Sequence, residues 1–178
     1  MKLFIGCSSS DEIEKKYLDS CKSLLEKLLK DNDLVYGAYN SGIMGIAYDI
    51  AIKNNRTIYA ITTEAYKHEL DDIKSNYKIV TPNIYTRSES LIKTSDVVVI
   101  LPGGIGTITE LISSIETMRN NEFSKPIIIY NVDGFYDGLI KFMDTIYQEK
   151  FSDETAKKFY RVLNKESEII DYIKEVEA

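Results

Sequence analysis

Apolar positions along the chain follow two rhythms. Short runs rich in β-branched residues predict strands at Leu3 to Gly6, Leu34 to Gly37, Thr57 to Ile61, Lys78 to Val80, Val97 to Leu101, Ile127 to Tyr130 and Tyr160 to Leu163. Between them, apolar residues recur every three or four positions. That spacing predicts helices over about Asp11 to Lys30, Gly42 to Lys53, Ser88 to Thr94, Thr107 to Asn120, Tyr136 to Glu149 and Glu166 to Val176. In the first helix Ile13, Tyr17, Cys21, Leu24, Leu25 and Leu28 share a face and leave lysines and acids on the other. The run Val97 to Leu101 is apolar throughout, as befits a strand covered on both sides near the middle of a sheet. Pro82, Pro102 and Pro126 fall at strand ends or just before a strand, where a missing N–H is tolerated. Strands alternating with helices predict an α/β fold: a Rossmann-like, doubly wound sheet of about seven mostly parallel strands with helices on both faces.

Composition narrows the setting. The 178 residues suit a single domain, 1–178, and the 44% hydrophobic and 28% charged content is that of a folded globular chain. A net charge of −6 without a basic stripe argues against nucleic acid as a partner. Cys7 and Cys21 sit in apolar segments and make neither a disulfide framework nor a zinc site, which points to a reducing cytoplasm. The N-terminal apolar run is too short for a signal peptide, and no stretch reaches the ~20 apolar residues of a membrane span, so no membrane association is expected. The single histidine, His68, lies in the acidic segment Glu64 to Asp72 and is expected at the surface; no metal cluster and no cofactor are predicted.

The chemistry is concentrated where strands hand over to helices. From Leu101 the chain leaves an apolar strand, passes Pro102, Gly103, Gly104 and Gly106, and enters a helix at Thr107. Glycines let a ligand approach the backbone, and the N–H groups of a helix start attract an anion. The same glycines also serve a plain packing role in many α/β proteins. Glu110 has two readings as well, since Thr107 to Glu110 spells a capping box in which the glutamate reaches back to the helix start. Arg87 stands at the start of a short helix upstream, where a guanidinium can engage a carboxylate or phosphate. A second glycine turn runs from Tyr36 to Gly45, and Ser8, Ser9 and Ser10 follow the first strand as hydroxyl donors or N-caps.

Pro102 to Glu110 is a complete Pro-Gly-Gly-x-Gly-Thr-x-x-Glu motif. With Tyr36-Gly37, the second turn from Gly42 to Gly45 and the segment Lys125 to Asp137, it makes nearly the whole chain resemble the lonely guy family of cytokinin riboside 5′-monophosphate phosphoribohydrolases, long labelled as possible lysine decarboxylases. The resemblance implies hydrolysis of a nucleoside 5′-monophosphate with Arg87 and Glu110 as the catalytic pair. It also implies that Gly103, Gly104, Gly106 and Thr107 hold the 5′-phosphate, with Ser8, Gly42, Met44, Gly45 and Ser88 around the substrate. A homodimer is implied too, with the helix after Glu110 at its interface. The chain departs from the family at Ala38 and Tyr39, where a run of three glycines is usual, at Ser88 in place of a lysine, at Cys7 in place of a glycine, and at Ser113 in place of a glutamate. Pyridoxal phosphate chemistry finds no lysine suited to it. The rival reading is a binding protein on the same fold, similar to the molybdenum cofactor carriers, which needs a phosphate nest but not the Arg87 and Glu110 pair.

Overall fold

The computed structural model describes residues 1–177. Seven strands form one sheet: β1 (Lys2–Gly6), β2 (Asp33–Tyr36), β3 (Ile58–Thr63), β4 (Tyr77–Thr81), β5 (Val97–Ile100), β6 (Ile127–Tyr130) and β7 (Tyr160–Leu163). Their order is β4-β3-β2-β1-β5-β6-β7, and every neighbouring pair is parallel. The helices between them are α1 (Lys15–Leu28), α2 (Gly42–Lys53), α3 (Ile84–Thr94), α4 (Ile105–Arg119), α5 (Asp137–Gln148) and α6 (Glu166–Glu177). The expected doubly wound architecture is present, and the sheet is wholly rather than mostly parallel.

Pleating divides the core. Leu3 and Ile5 of β1 point to one side with Cys21, Leu24 and Leu25 of α1, Ala47 of α2 and Ile169 of α6. Phe4 points to the other side with Leu91 of α3, Leu111 of α4 and Met143 of α5. Alternate residues of one strand thus feed two apolar layers, as a strand between two helical faces must. All residues of β5 are buried, in keeping with its place between β1 and β6.

Two helix starts lie a full turn from the sequence expectation, and both bear on the site. Helix α1 starts at Lys15, not near Asp11, because Asp11 is engaged elsewhere: its Oδ1 accepts the N–H of Gly42 at the start of α2, at 2.8 Å. Ser8, Ser9 and Ser10 therefore form a loop and do not cap α1. Helix α3 starts at Ile84, not Ser88, because Asn83 caps it. The Asn83 Oδ1 accepts from the N–H groups of Tyr85 (3.0 Å) and Thr86 (3.1 Å), and Thr86 Oγ1 returns a contact to the Asn83 N–H. An asparagine cap of this kind satisfies the orphan donors of a first turn, so Arg87 is carried by a fixed helix end.

Candidate active site

Strand order reverses between β1 and β5, and ligands of open α/β sheets bind over the carboxyl ends of the strands at such a point. A cavity of about 220 Å³ lies there. Cys7, Ser8, Ser9 and Ser10 line it from the loop after β1, and Met44 and Arg87 from α2 and α3. Gly104, Gly106, Thr107 and Glu110 close it from the start of α4.

Arg87 is locked on three sides. Its Nη1 donates to Glu110 Oε1 at 2.9 Å, its Nε to the Ile61 carbonyl at 3.2 Å, and its Nη2 to the Gly37 carbonyl at 3.4 Å. A Cβ at 37 would stand 2.1 Å from Arg87 Nη2, so any side chain there would have to displace the guanidinium. Glu110 is only 3% exposed, and while Oε1 meets Arg87, the fully buried Oε2 has no hydrogen-bond partner. Burial pushes the Glu110 carboxyl above its ordinary range, and the Arg87 charge and hydrogen bond hold it part of the way down. Gly6 makes room for this carboxylate: a Cβ there would lie 3.2 Å from Oε2 and 2.8 Å from Ile100 Cδ1. Gly6 and Gly37 are absent from the sequence-derived site, because only their spatial neighbours reveal their role.

The capping box expected at Thr107 to Glu110 does not form. Helix α4 begins at Ile105 with Gly104 as its N-cap, and no side chain caps it. Its first intrahelical bond runs from Ile108 N–H to Gly104 O, so the N–H groups of Ile105, Gly106 and Thr107 precede the ladder. A Cβ added at Gly104 or Gly106 would meet nothing within 4 Å, whereas one at Gly103 would stand 2.1 Å from Thr107 Oγ1. Gly103 is therefore a packing glycine, and Gly104 and Gly106 border open space. An uncapped helix start with bare backbone beside it suits an anion.

The turn after β2 is closed by comparison. Gly42 N–H is taken by Asp11 and Met44 N–H by the Ser8 carbonyl at 3.1 Å, so two of the three N–H groups ahead of the helical ladder are occupied. A Cβ at Gly42 would fall 2.6 Å from Ser10 O, and one at Gly45 3.0 Å from the Asn40 carbonyl carbon. Gly42 and Gly45 thus build the wall and do not line the cavity, although Met44 does. Ser88 also falls outside it: its hydroxyl donates to the Ile84 carbonyl at 3.1 Å, and it borders a separate cleft between α3 and α4. Tyr39 does not line the cavity either, and the nearby Glu69 carboxylate raises its phenol above the ordinary range. Cys7 lines the cavity but is buried, and burial pushes its thiol well above the usual value, which disfavours the thiolate form. His68 is exposed, as expected. Among the described residues, no helix is long and apolar enough to cross a membrane, and no group of three or more His, Cys, Asp or Glu residues could hold a metal ion.

Comparison with known proteins gives this geometry a context. The molybdenum cofactor carrier protein of Chlamydomonas reinhardtii superposes with a TM-score of 0.71 over 98% of this chain and 96% of that one, at 15% identity, a likeness of fold alone. Among curated proteins, the cytokinin riboside 5′-monophosphate phosphoribohydrolase LOG2 of Arabidopsis thaliana is 30% identical over 159 residues, 88% of this chain and 75% of that protein. LOG3 of the same plant is also 30% identical over 159 residues, 88% of this chain and 74% of its own length. The "possible lysine decarboxylase" family model matches residues 44–173. With the motif from Pro102 to Glu110 at the switch point of the sheet, the chain belongs to the "possible lysine decarboxylase", or LOG, family.

Proposed function

We propose that the protein hydrolyses the N-glycosidic bond of a nucleoside 5′-monophosphate, such as AMP or a cytokinin riboside monophosphate, to free base and ribose 5-phosphate. One observation carries the reading: a single cavity combines a buried carboxylate that has one oxygen unpartnered with an uncapped helix start a few residues before it. Cleavage of such a bond develops positive charge on the ribose, as in glycoside hydrolysis. In this reading the Glu110 carboxylate, which lines the cavity, accepts a hydrogen bond from the attacking water or a ribose hydroxyl, and its negative charge stabilises the oxocarbenium-like transition state. The water oxygen bonds to the anomeric carbon, the base departs with the electron pair of the broken bond, and the proton released from the water neutralises the base. Arg87 favours the ionised form of Glu110 against the effect of burial and fixes its direction. The N–H groups at Ile105, Gly106 and Thr107 hold the 5′-phosphate.

The test is release of free adenine and ribose 5-phosphate from AMP, compared with adenosine at matched concentration. Each charge-assisted bond to the phosphate is worth about 1.5–3 kcal/mol, so loss of two lowers kcat/KM for adenosine by roughly two to four powers of ten. Equal cleavage of both would remove the phosphate site, and with it this assignment. The same reading includes a homodimer. Exposed Tyr85 and Ile112 border the cleft of about 400 Å³ between α3 and α4, an apolar face suited to an isologous contact. Light scattering should give twice the 20.3 kDa chain mass, and a monomer mass at all concentrations excludes it.

A further inference from the structure

The glycine turn that opens α4 is held from outside by a side chain that the proposed chemistry does not use. After β6 the chain turns through Asp133 (φ 52°) and Gly134 (φ 69°) and delivers Tyr136 into the core, where it is 2% exposed. The Tyr136 hydroxyl donates to the Leu101 carbonyl at 2.7 Å, and the Gly103 N–H lies near the phenol oxygen. The phenol thus tethers the carbonyl that precedes Pro102. Burial holds this phenol far above its ordinary titration range, so it remains a donor.

Tyr136 is itself fixed. Its N–H donates to Asn131 Oδ1 at 2.7 Å, and Asn131 Nδ2 donates to Asp137 Oδ1 (2.8 Å) and Asn164 Oδ1 (3.1 Å). Both donors and the acceptor of a buried amide are thereby used, which leaves Tyr136 one orientation. On the opposite flank the Ser8 N–H donates to the Pro102 carbonyl at 3.1 Å.

The turn needs such a constraint. Gly103 and Gly104 precede the helix, no side chain caps it at Gly104, and glycine backbone left to itself samples many conformations. N–H groups converge on an anion with useful affinity only when their order is established before binding. We propose that Tyr136, backed by Asn131, is a positioning residue that fixes the turn from Leu101 to Gly104 and, through it, the direction of the N–H groups at Ile105, Gly106 and Thr107. The inference rests on reading that helix start as the phosphate site. Tyr136 acts through the backbone, not by touching substrate, and its removal should alter ground-state capture of the phosphate more than the bond-breaking step.

Calorimetry with inorganic phosphate and with ribose 5-phosphate, alongside steady-state kinetics with AMP, tests it on the full chain. Tyr136→Phe should weaken both ligands about tenfold and raise KM by a similar factor, with kcat within about threefold of the parent. Asn131→Ala keeps the hydroxyl but releases the residue behind it, and should weaken phosphate by about threefold. Met143→Ala, elsewhere in the α5 core, serves as the stability control: it should lower Tm and leave phosphate affinity unchanged. If Tyr136→Phe and Asn131→Ala lower Tm yet bind phosphate like the parent, the hydroxyl serves the fold alone and the proposal is overturned. Loss of phosphate in Tyr136→Phe, in a protein whose parent binds phosphate but cleaves no nucleotide, supports the positioning role and removes the hydrolase reading. Cleavage with unaltered KM in Tyr136→Phe does the reverse.

Discussion

The turn after β5 and the turn after β2 use a similar vocabulary of glycines between a strand and a helix, and both lie at the same edge of the sheet. They differ in what occupies the N–H groups. At α2 the Asp11 carboxylate takes the Gly42 N–H and the Ser8 carbonyl the Met44 N–H, and Gly42 and Gly45 are small because backbone crowds them. At α4 no side chain caps the helix, and Gly104 and Gly106 face open space. A glycine required by crowding and a glycine required by an incoming ligand look the same in one sequence. The space around a hypothetical Cβ tells them apart.

The largest effect that separates the open turn from the closed one lies at the carboxylate behind it. Glu110→Gln keeps an acceptor for Arg87 and the shape of the side chain but removes the charge. Turnover of AMP should fall by about two to four powers of ten, the range for loss of a general base, while Tm moves by only a few degrees. The pH profile sharpens this. Burial raises the Glu110 carboxyl above the ordinary 4.5, so kcat/KM should fall on the acid side with an apparent pKa above that value. Stability runs the other way. With the folded pKa above the unfolded one, the folded state binds the proton more tightly, and stability declines as pH rises from 4.5 to the folded value and stays flat beyond it. Glu110→Gln should abolish both dependences; an unchanged acid limb would assign it to another group.

Paired substitutions in the two turns give the next effect. Gly42→Ala forces φ +57° on an alanine and sets its methyl 2.6 Å from Ser10 O, so it should destabilise the fold by about 2–3 kcal/mol, read from urea unfolding. Gly104→Val meets no protein atom at its Cβ, so stability should hold while KM for AMP rises about tenfold from the bulk placed where the phosphate approaches. If the two exchanged phenotypes, with Gly104→Val unfolding the protein and Gly42→Ala raising KM, the open and closed assignments would have to be reversed.

Much of this was legible along the chain, for identifiable reasons. The run Val97 to Leu101 announced a central strand because burial on both faces leaves no polar position. The motif from Pro102 to Glu110 marked the cavity because strand, turn and helix start are contiguous in sequence. Pairings across the fold were not legible in the same way. Asp11 reaches Gly42, Gly6 accommodates Glu110, and Gly37 accommodates Arg87 over separations that no local pattern encodes. The capping box at Thr107 failed because helix α4 had already begun at Ile105, which leaves Thr107 over Gly103 and turns Glu110 toward Arg87. The cap at Asn83 was missed although its side chain, three residues before Thr86, is an ordinary helix start.

The smallest effect concerns adjacent positions in the loop after β2, where Gly37 and Ala38 answer to different demands. Gly37 is glycine because Arg87 Nη2 fills the place of a side chain. Ala38 has its Cβ in the fully buried core yet adopts φ +61°, a left-handed conformation that glycine enters freely. Ala38→Gly relieves about 1–2 kcal/mol of local strain. It also removes a buried methyl worth about 0.8 kcal/mol and frees the unfolded chain by about 0.4–1 kcal/mol. These terms nearly cancel, so the variant should match the parent to within about 1 kcal/mol in urea unfolding. Ala47→Gly, in the middle of α2 and equally buried, loses the same methyl and adds the helix penalty of glycine with no strain to relieve, about 2 kcal/mol in all. An Ala38→Gly loss as large as that of Ala47→Gly would mean that the left-handed backbone at 38 stores no strain, and that the methyl is held there by packing alone.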